Sequence, residues 1–302
     1  MIKLPSGIKI KVLINDLRIL SWEVSDTLIY YSKILKDPNN KSNILKNNNL
    51  DDPVTLADLK VNEIIIKRIN EKYRDVDWGI LSEENAKSIS FNSYCSHDWM
   101  WVLDPLDGTK DFIQGTSNYA MHLALNYKSK PFIGIVLIPE KDELWIADGD
   151  KVWGEKRDGS IIKPNLSKNI ILQEMTLVTS KNHRNTTLRN LIQKIHFKEV
   201  IIMGSIGCKI ASILRGQSDI YICLSMPEGS SPKDWDFAAP EAILKAAGGA
   251  ITNIHNEELV YGASNFQQGG IIVASNNRIN QMKICSEIKQ TLEKYNLYQV
   301  SS

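Results

Sequence analysis

The stretch WVLDPLDGTKDF (residues 101–112) runs from three apolar residues straight into two aspartates, a proline, a glycine and a threonine. It reads as a buried strand that ends abruptly in a polar turn. Two carboxylates crowded at one strand end repel each other unless something positive lies between them. A hard divalent cation fits, because Mg²⁺ prefers oxygen-only ligation by carboxylates, backbone carbonyl and water. Pro105 stiffens the turn, so that Asp104 and Asp107 can converge with the Leu106 carbonyl between them. Gly108 permits close backbone approach, and the N–H groups of Gly108 and Thr109 open a helix, which is an anion site. One turn therefore offers oxygens to a cation and amides to a phosphate. The plainer alternative is a polar turn in which Asp107 caps the helix that follows.

Three further acidic segments carry related features. ILSEEN (80–85) ends a strand at Glu83 and Glu84, which alone would be a solvated turn. KDWDFAAPEAILKAAGG (233–249) places Asp236 in the first turn of a helix that closes at Gly248 and Gly249. There a carboxylate also suits the helix dipole. In PVTLADLKVNE, Thr55 with Asp58 three residues later has the form of a capping box.

The rest of the chain sets the frame. At 302 residues it holds one large domain or two closely packed halves, here 1–170 and 171–302. With 36 basic and 35 acidic residues and no basic block, it lacks the footprint of a nucleic-acid binder. No apolar run reaches the roughly 18 residues of a membrane span, and the N-terminus shows no cleavage pattern. The four cysteines, Cys95, Cys208, Cys223 and Cys285, are scattered without CxxC spacing. They read as reduced thiols of a cytoplasmic protein, so a metal here is expected on oxygen. Helix-period apolars mark 16–36 and Val54–Tyr73, and DPNNKSNILKNNNLDD (37–52) reads as a mobile loop. Strands are expected at 77–81, 99–103, 118–127, 131–138 and 143–154, several joined by Gly–Asp turns. A second set follows: strands near 175–179, 219–224 and 270–274, and helices near 205–215, 236–247 and 277–295. Two successive strand-and-helix sets imply a layered α/β protein. The five histidines (97, 122, 183, 196, 255) show no metal spacing and are taken as structural. Trp99, Trp101, Trp145, Trp153 and Trp235 are taken as packing residues.

Taken together, SEEN, DPLDGT and DWDFAAP in this order resemble the signature of the metal-dependent, lithium-inhibited phosphomonoesterases. That family includes inositol monophosphatase, fructose-1,6-bisphosphatase and the 3′(2′),5′-bisphosphate nucleotidases. The resemblance covers roughly residues 50–275 and implies an α-β-α-β-α sandwich. Carried over position by position, it implies Glu83, Asp104, the Leu106 carbonyl, Asp107 and Asp236 as metal ligands, with Glu84 as the alternative in its pair. Asp58 and Thr109 would activate water, and the Gly108 and Thr109 amides would hold the scissile phosphate. Two or three Mg²⁺ ions are implied, the third near Asp58, with Mn²⁺ as substitute and Li⁺ as inhibitor.

Substrate choice rests on fewer residues. DGTKDF resembles the nucleotidase branch, where Lys110 adds positive charge for a doubly phosphorylated substrate. MGSIGCKIASILRGQSDIYICL (203–224) resembles the segment in which that branch uses a serine and a lysine. Lys209 matches the lysine; the serine position is Ile206 here, which leaves Ser205 as the neighbouring hydroxyl. The implied reaction is hydrolysis of 3′-phosphoadenosine 5′-phosphate to AMP and phosphate. The alternatives are an inositol monophosphatase or broader sugar-phosphate phosphatase, and a non-catalytic nucleotide-binding relative. An oligomer is compatible with the sequence.

Overall fold

Alternation along the strands dictates the layering. In a strand, successive side chains face opposite sides, so a strand apolar on both faces needs cover on both. The computed structural model describes residues 2–37, 45–47, 54–89, 94, 96–180, 186–225, 231–263 and 265–298. It begins with helix α1 (Ile10–Leu35), the paired strands β1 (Leu45–Asn47) and β2 (Val54–Thr55), and helix α2 (Leu56–Lys72). A seven-stranded sheet follows in chain order: β3 (Gly79–Ser82), β4 (Trp99–Asp107), β5 (Ala120–Tyr127), β6 (Lys130–Ile138), β7 (Glu143–Ala147), β8 (Val152–Glu155) and β9 (Ile161–Ile162). The β3–β4 pair is parallel and the rest are antiparallel. A short helix, α3 (Thr109–Ile113), leaves the end of β4.

The second set comprises β10 (Thr176–Thr179), α4 (Thr186–Ile195), β11 (Glu199–Ile202), α5 (Ile206–Leu214), β12 (Ile220–Leu224), α6 (Asp234–Ala246), β13 (Ala250–Asn253), β14 (Ile271–Ser275) and α7 (Gln281–Lys294). Its five-stranded sheet has the order β11-β10-β12-β14-β13.

Three apolar clusters bind these elements into five layers. On β4, Trp99, Trp101 and Leu103 face α1 and α2, where Leu13, Leu17, Leu20, Val24 and Leu28 form the buried stripe of α1. Each such side chain contributes about 1.5–3 kcal/mol on burial. Met100 and Val102, on the opposite face, belong to a second cluster with Ile210 and Ile213 of α5 and Phe237 and Ile243 of α6. That middle cluster continues to Tyr221 and Cys223 of β12 and Ala274 of β14. The outer face of the second sheet, with Ile220, Ile222 and Val273, is covered by Leu188 and Leu191 of α4 and Ile284 and Ile288 of α7. The architecture is the α-β-α-β-α sandwich implied above.

Several boundaries differ from expectation. Helix α1 starts six residues before position 16, because Leu13 and Ile14 continue its buried stripe. Helix α2 begins at Leu56, since Thr55 is its N-cap and pairs with Leu45 as a strand. Of the stretch 37–52, only Asp37 and Leu45–Asn47 belong to the described residues, and the latter form β1. The 143–154 segment is two strands separated by a turn at Gly149, whose φ is 99°. Helix α4 and strands β11 and β13 were not anticipated. Among the described residues Cys208, Cys223 and Cys285 are buried free thiols, whereas Cys95 and His183 lie outside them. Nor, among those residues, is any helix long and apolar enough to cross a membrane.

Candidate active site

Asp104 and Asp107 stand three residues apart, and a regular strand would send them to opposite faces. The register shows how this is avoided. Asp104 pairs with His122 and Asp107 with Ala120, so three steps on β4 oppose two on β5. The extra residue is a β-bulge, and it brings both carboxylates to one side. There, Asp104, Asp107 and Asp236 each offer an oxygen within 4.8 Å of the others. Asp236 arrives from the first turn of α6, where its Oδ2 also accepts the Lys233 N–H at 2.6 Å. Glu83 follows β3, which runs parallel beside β4; its N–H donates to the Leu103 carbonyl at 3.1 Å, and its charge acts on Asp104.

Asp58 joins from the start of α2. Its Oδ2 accepts the Thr55 N–H at 2.8 Å, which completes the capping box, while its Oδ1 lies 3.4 Å from Thr109 Oγ1. The structural and the functional readings of Asp58 thus use different oxygens. Thr109 Oγ1 is also 3.0 Å from the Leu106 carbonyl. Gly108 precedes α3 at φ 89°, and a Cβ there would lie 2.8 Å from the Asn118 carbonyl. Only glycine fits this turn.

The electrostatics separate the aspartates. Burial, then Glu83, Asp107 and Asp236, push Asp104 well above the carboxylate range. Burial and the Asp107 charge lift Asp236 to about 7. Asp58 also rises to about 7, because burial outweighs its hydrogen bonds from Thr55, with a smaller upward push from Glu84. For Asp107 burial is again the largest influence, but His122, Lys209 and Ser205 together overcome it and hold the group at about 2. Several buried carboxylates, most of them resisting ionisation for want of positive charge, are the donor set a hard divalent cation completes. The residues fit such an ion.

The plainer alternative for Asp107 fails and one expectation needs correction. Asp107 does not cap the helix that follows it; its Oδ2 instead accepts the Gly207 N–H of α5 at 3.1 Å and the Ser205 hydroxyl at 2.6 Å. His122 is not remote from the chemistry: it is fully buried, with Nε2 3.2 Å from Asp107 Oδ2. Its spacing in the sequence gave no signal, because the contact depends on the bulge. Ser205 and Lys209 lie inside, at 5% and 2% exposure. The Lys209 ammonium donates to the Ser205 carbonyl at 3.2 Å and sits over the Tyr221 ring. A solvated helix lysine, the plain alternative, is ruled out. Lys110 is half-buried on α3, beside the turn, and Trp235 is packed in the middle layer.

Comparison with known proteins follows the same lines. The inositol monophosphatase family model matches residues 21–293. The 3′(2′),5′-bisphosphate nucleotidase CysQ of Buchnera aphidicola is 32% identical over 70% of this chain and 75% of its own length. Among solved structures, CysQ from Bacteroides thetaiotaomicron superposes with a TM-score of 0.67 at 25% identity, covering 84% of this chain and 93% of its own. An inositol monophosphatase from Anabaena gives 0.69 at 20% identity over 93% and 96% of the two chains. With the sandwich, the bulged aspartates and the Asp58–Thr109 pair all in place, the chain belongs to the inositol monophosphatase family, on the branch of the CysQ-type nucleotidases.

Proposed function

We propose that the chain hydrolyses the 3′-phosphate of 3′-phosphoadenosine 5′-phosphate, giving AMP and inorganic phosphate. The observation that carries this reading is the convergence of Asp104, Asp107 and Asp236 within 4.8 Å, with Asp58 and Thr109 beside them. The similarity to the Buchnera nucleotidase selects the substrate within the family. Glu83, Asp104, the Leu106 carbonyl, Asp107 and Asp236 would hold two or three Mg²⁺ ions, which supply Lewis acidity and cancel phosphate charge. Mn²⁺ can replace Mg²⁺, and Li⁺ inhibits. The Gly108 and Thr109 amides bind the phosphoryl oxygens. Thr109 Oγ1 and Asp58 Oδ1 orient a water in line with the ester bond. As the water oxygen bonds to phosphorus, Asp58, whose Oδ1 lies 3.4 Å from Thr109 Oγ1, receives its proton. The bond from phosphorus to O3′ breaks, and the ribose oxygen takes a proton from solvent. Lys110 faces the second phosphate; Ser205 and Lys209 support Asp107 from within. Three buried free thiols suit a reducing, cytoplasmic setting.

Phosphate release from the adenosine bisphosphate, inositol 1-phosphate and fructose 1,6-bisphosphate, measured with EDTA-stripped and Mg²⁺-restored protein, tests this. The first substrate should lead, only with Mg²⁺ present and with inhibition by Li⁺. Undiminished turnover after chelation would overturn the reading. A preference for inositol 1-phosphate would establish the inositol monophosphatase activity in its place.

A further inference from the structure

Among the described residues, the hydrogen bonds and the ion-pair contact of the Asp107 carboxylate all fall on one oxygen. Oδ2 accepts the Ser205 hydroxyl at 2.6 Å and the Gly207 N–H at 3.1 Å, and it lies 3.2 Å from His122 Nε2. His122 stands on β5 opposite Asp104, with no solvent exposure and with Nδ1 3.4 Å from the Trp235 carbonyl. Its Nε2 makes an ion-pair contact with Oδ2 and, among the described residues, has no other polar partner. The ring has room only because residue 207 is glycine, since a Cβ there would sit 2.2 Å from Nε2 and 2.8 Å from Val136 Cγ1. Ser205 reaches Oδ2 from φ 48° and ψ 130°, a conformation that residues with a side chain rarely adopt. A buried imidazole, a strained serine and an obligatory glycine thus meet at one carboxylate oxygen.

We propose that His122, together with Ser205, is a positioning residue for Asp107, holding Oδ2 so that Oδ1 alone is presented to the cation shared with Asp104 and Asp236. A carboxylate free to turn offers either oxygen, or both at once. One held by Oδ2 offers a single oxygen in a fixed direction. Partners of this kind behind a metal ligand alter metal affinity about 10–100-fold. The inference rests on the reading of Asp107 as a ligand.

Mn²⁺ binding, followed by electron paramagnetic resonance on the full chain, tests it, alongside thermal unfolding in EDTA. His122→Leu should weaken Mn²⁺ about 10–100-fold. His122→Gln, whose amide nitrogen reaches the Nε2 position, should restore most of that loss. Asn126→Leu, buried four residues along on the same face of β5, should bind as wild type. Ser205→Gly relieves the strain while removing the hydroxyl. Its melting temperature in EDTA should change little, strain relief offsetting the lost hydrogen bonds to Asp107 and from the Cys208 N–H, while its Mn²⁺ affinity falls, so the test survives even if His122→Leu does not fold. Wild-type affinity in His122→Leu or in Ser205→Gly would overturn the inference. So would equal losses in the His122→Gln and His122→Leu variants, or in Asn126→Leu. Asp107→Asn separates the two levels: unchanged Mn²⁺ binding there removes the ligand reading itself, whereas its loss beside an unaffected His122→Leu removes only the inference.

Discussion

Replacing Asp104 and Asp107 by asparagine, one at a time, should shift the stability of the metal-free protein in opposite directions. The two residues share a strand end, yet their surroundings differ. Asp107 is held at about 2 against a usual 3.8, because His122, Lys209 and Ser205 outweigh burial. A depressed carboxyl contributes stability that is full above its unfolded pKa and lost as pH falls through the folded one, here between about 4 and 2. At pH 6 the contribution is intact, and a shift of nearly two units corresponds to about 2 kcal/mol. Asp107→Asn should therefore lower the melting temperature in EDTA by about 4 °C, taking roughly 2 cal/mol/K of unfolding entropy per residue. Asp104 is pushed the other way by burial and by Glu83, Asp107 and Asp236, so its ionised form opposes folding. Asparagine resembles the protonated acid, and Asp104→Asn should melt at or above wild type. Working at pH 6 limits the repulsion from Asp236, which titrates at about 7. Differential scanning calorimetry in EDTA at pH 6 reads both shifts. With excess Mg²⁺ the order changes, since wild type gains stability from binding and both variants lose most of that gain. Equal destabilisation by the two substitutions in EDTA would refute the electrostatic account of this strand end.

Glu241 is buried in α6, accepts the Tyr261 hydroxyl at 2.6 Å and is lifted by burial from 4.5 to about 7. Its ionisation opposes folding, so its stabilising effect is complete below 4.5 and is lost as pH rises to 7; Glu241→Gln should gain up to about 3 kcal/mol at pH 8 and little at pH 4.5. Urea unfolding at both pH values checks this, and an equal difference at the two refutes it. Gly134→Ala puts a Cβ 2.6 Å from Ala242 Cβ and 2.7 Å from the Ala239 carbonyl, forcing β6 from α6; a loss of about 1–3 kcal/mol is expected on thermal unfolding, and an unchanged melting temperature would contradict the packing. Lys209→Ala should slow hydrolysis of the adenosine bisphosphate and of a simple phosphomonoester alike, because the ammonium acts on Asp107 from inside; a selective loss on the bisphosphate would refute this and make Lys209 a substrate contact.

Much of the site could be read in the sequence because its residues come in short local groups. DPLDGT carries its own turn chemistry, and the acids at 58, 83 and 236 each mark the edge of a periodic segment. The contacts around Asp107 could not be read this way. His122 meets it across a bulge in β5–β4 pairing, and Ser205 and Gly207 come from another sheet's helix nearly a hundred residues later. The fold shows the same division. Long stripes such as that of α1 announce themselves, although the helix begins before the expected residue 16, with Leu13 and Ile14 extending its buried stripe. Strand β11 is an edge strand with Val200 and Ile202 exposed, and β13 has only four residues, so neither shows a clear alternation of buried and exposed positions.

The middle layer also sets the order in which a nascent chain can finish folding. Strands β3 to β9 are complete once Ile162 has left the ribosome, but Met100, Val102, Ala124, Val136 and Trp145 face a layer supplied by α5 and α6. Until Ala246 emerges, the sheet carries one bare apolar face, and a fragment ending at residue 170 would keep it. Such a surface is prone to association during synthesis. Asp236 rides on the helix that closes that face, so the aspartates of β4 wait through most of translation for their third partner. Assembly of the three-aspartate cluster is therefore a late event, coupled to the burial of the sheet's second apolar face.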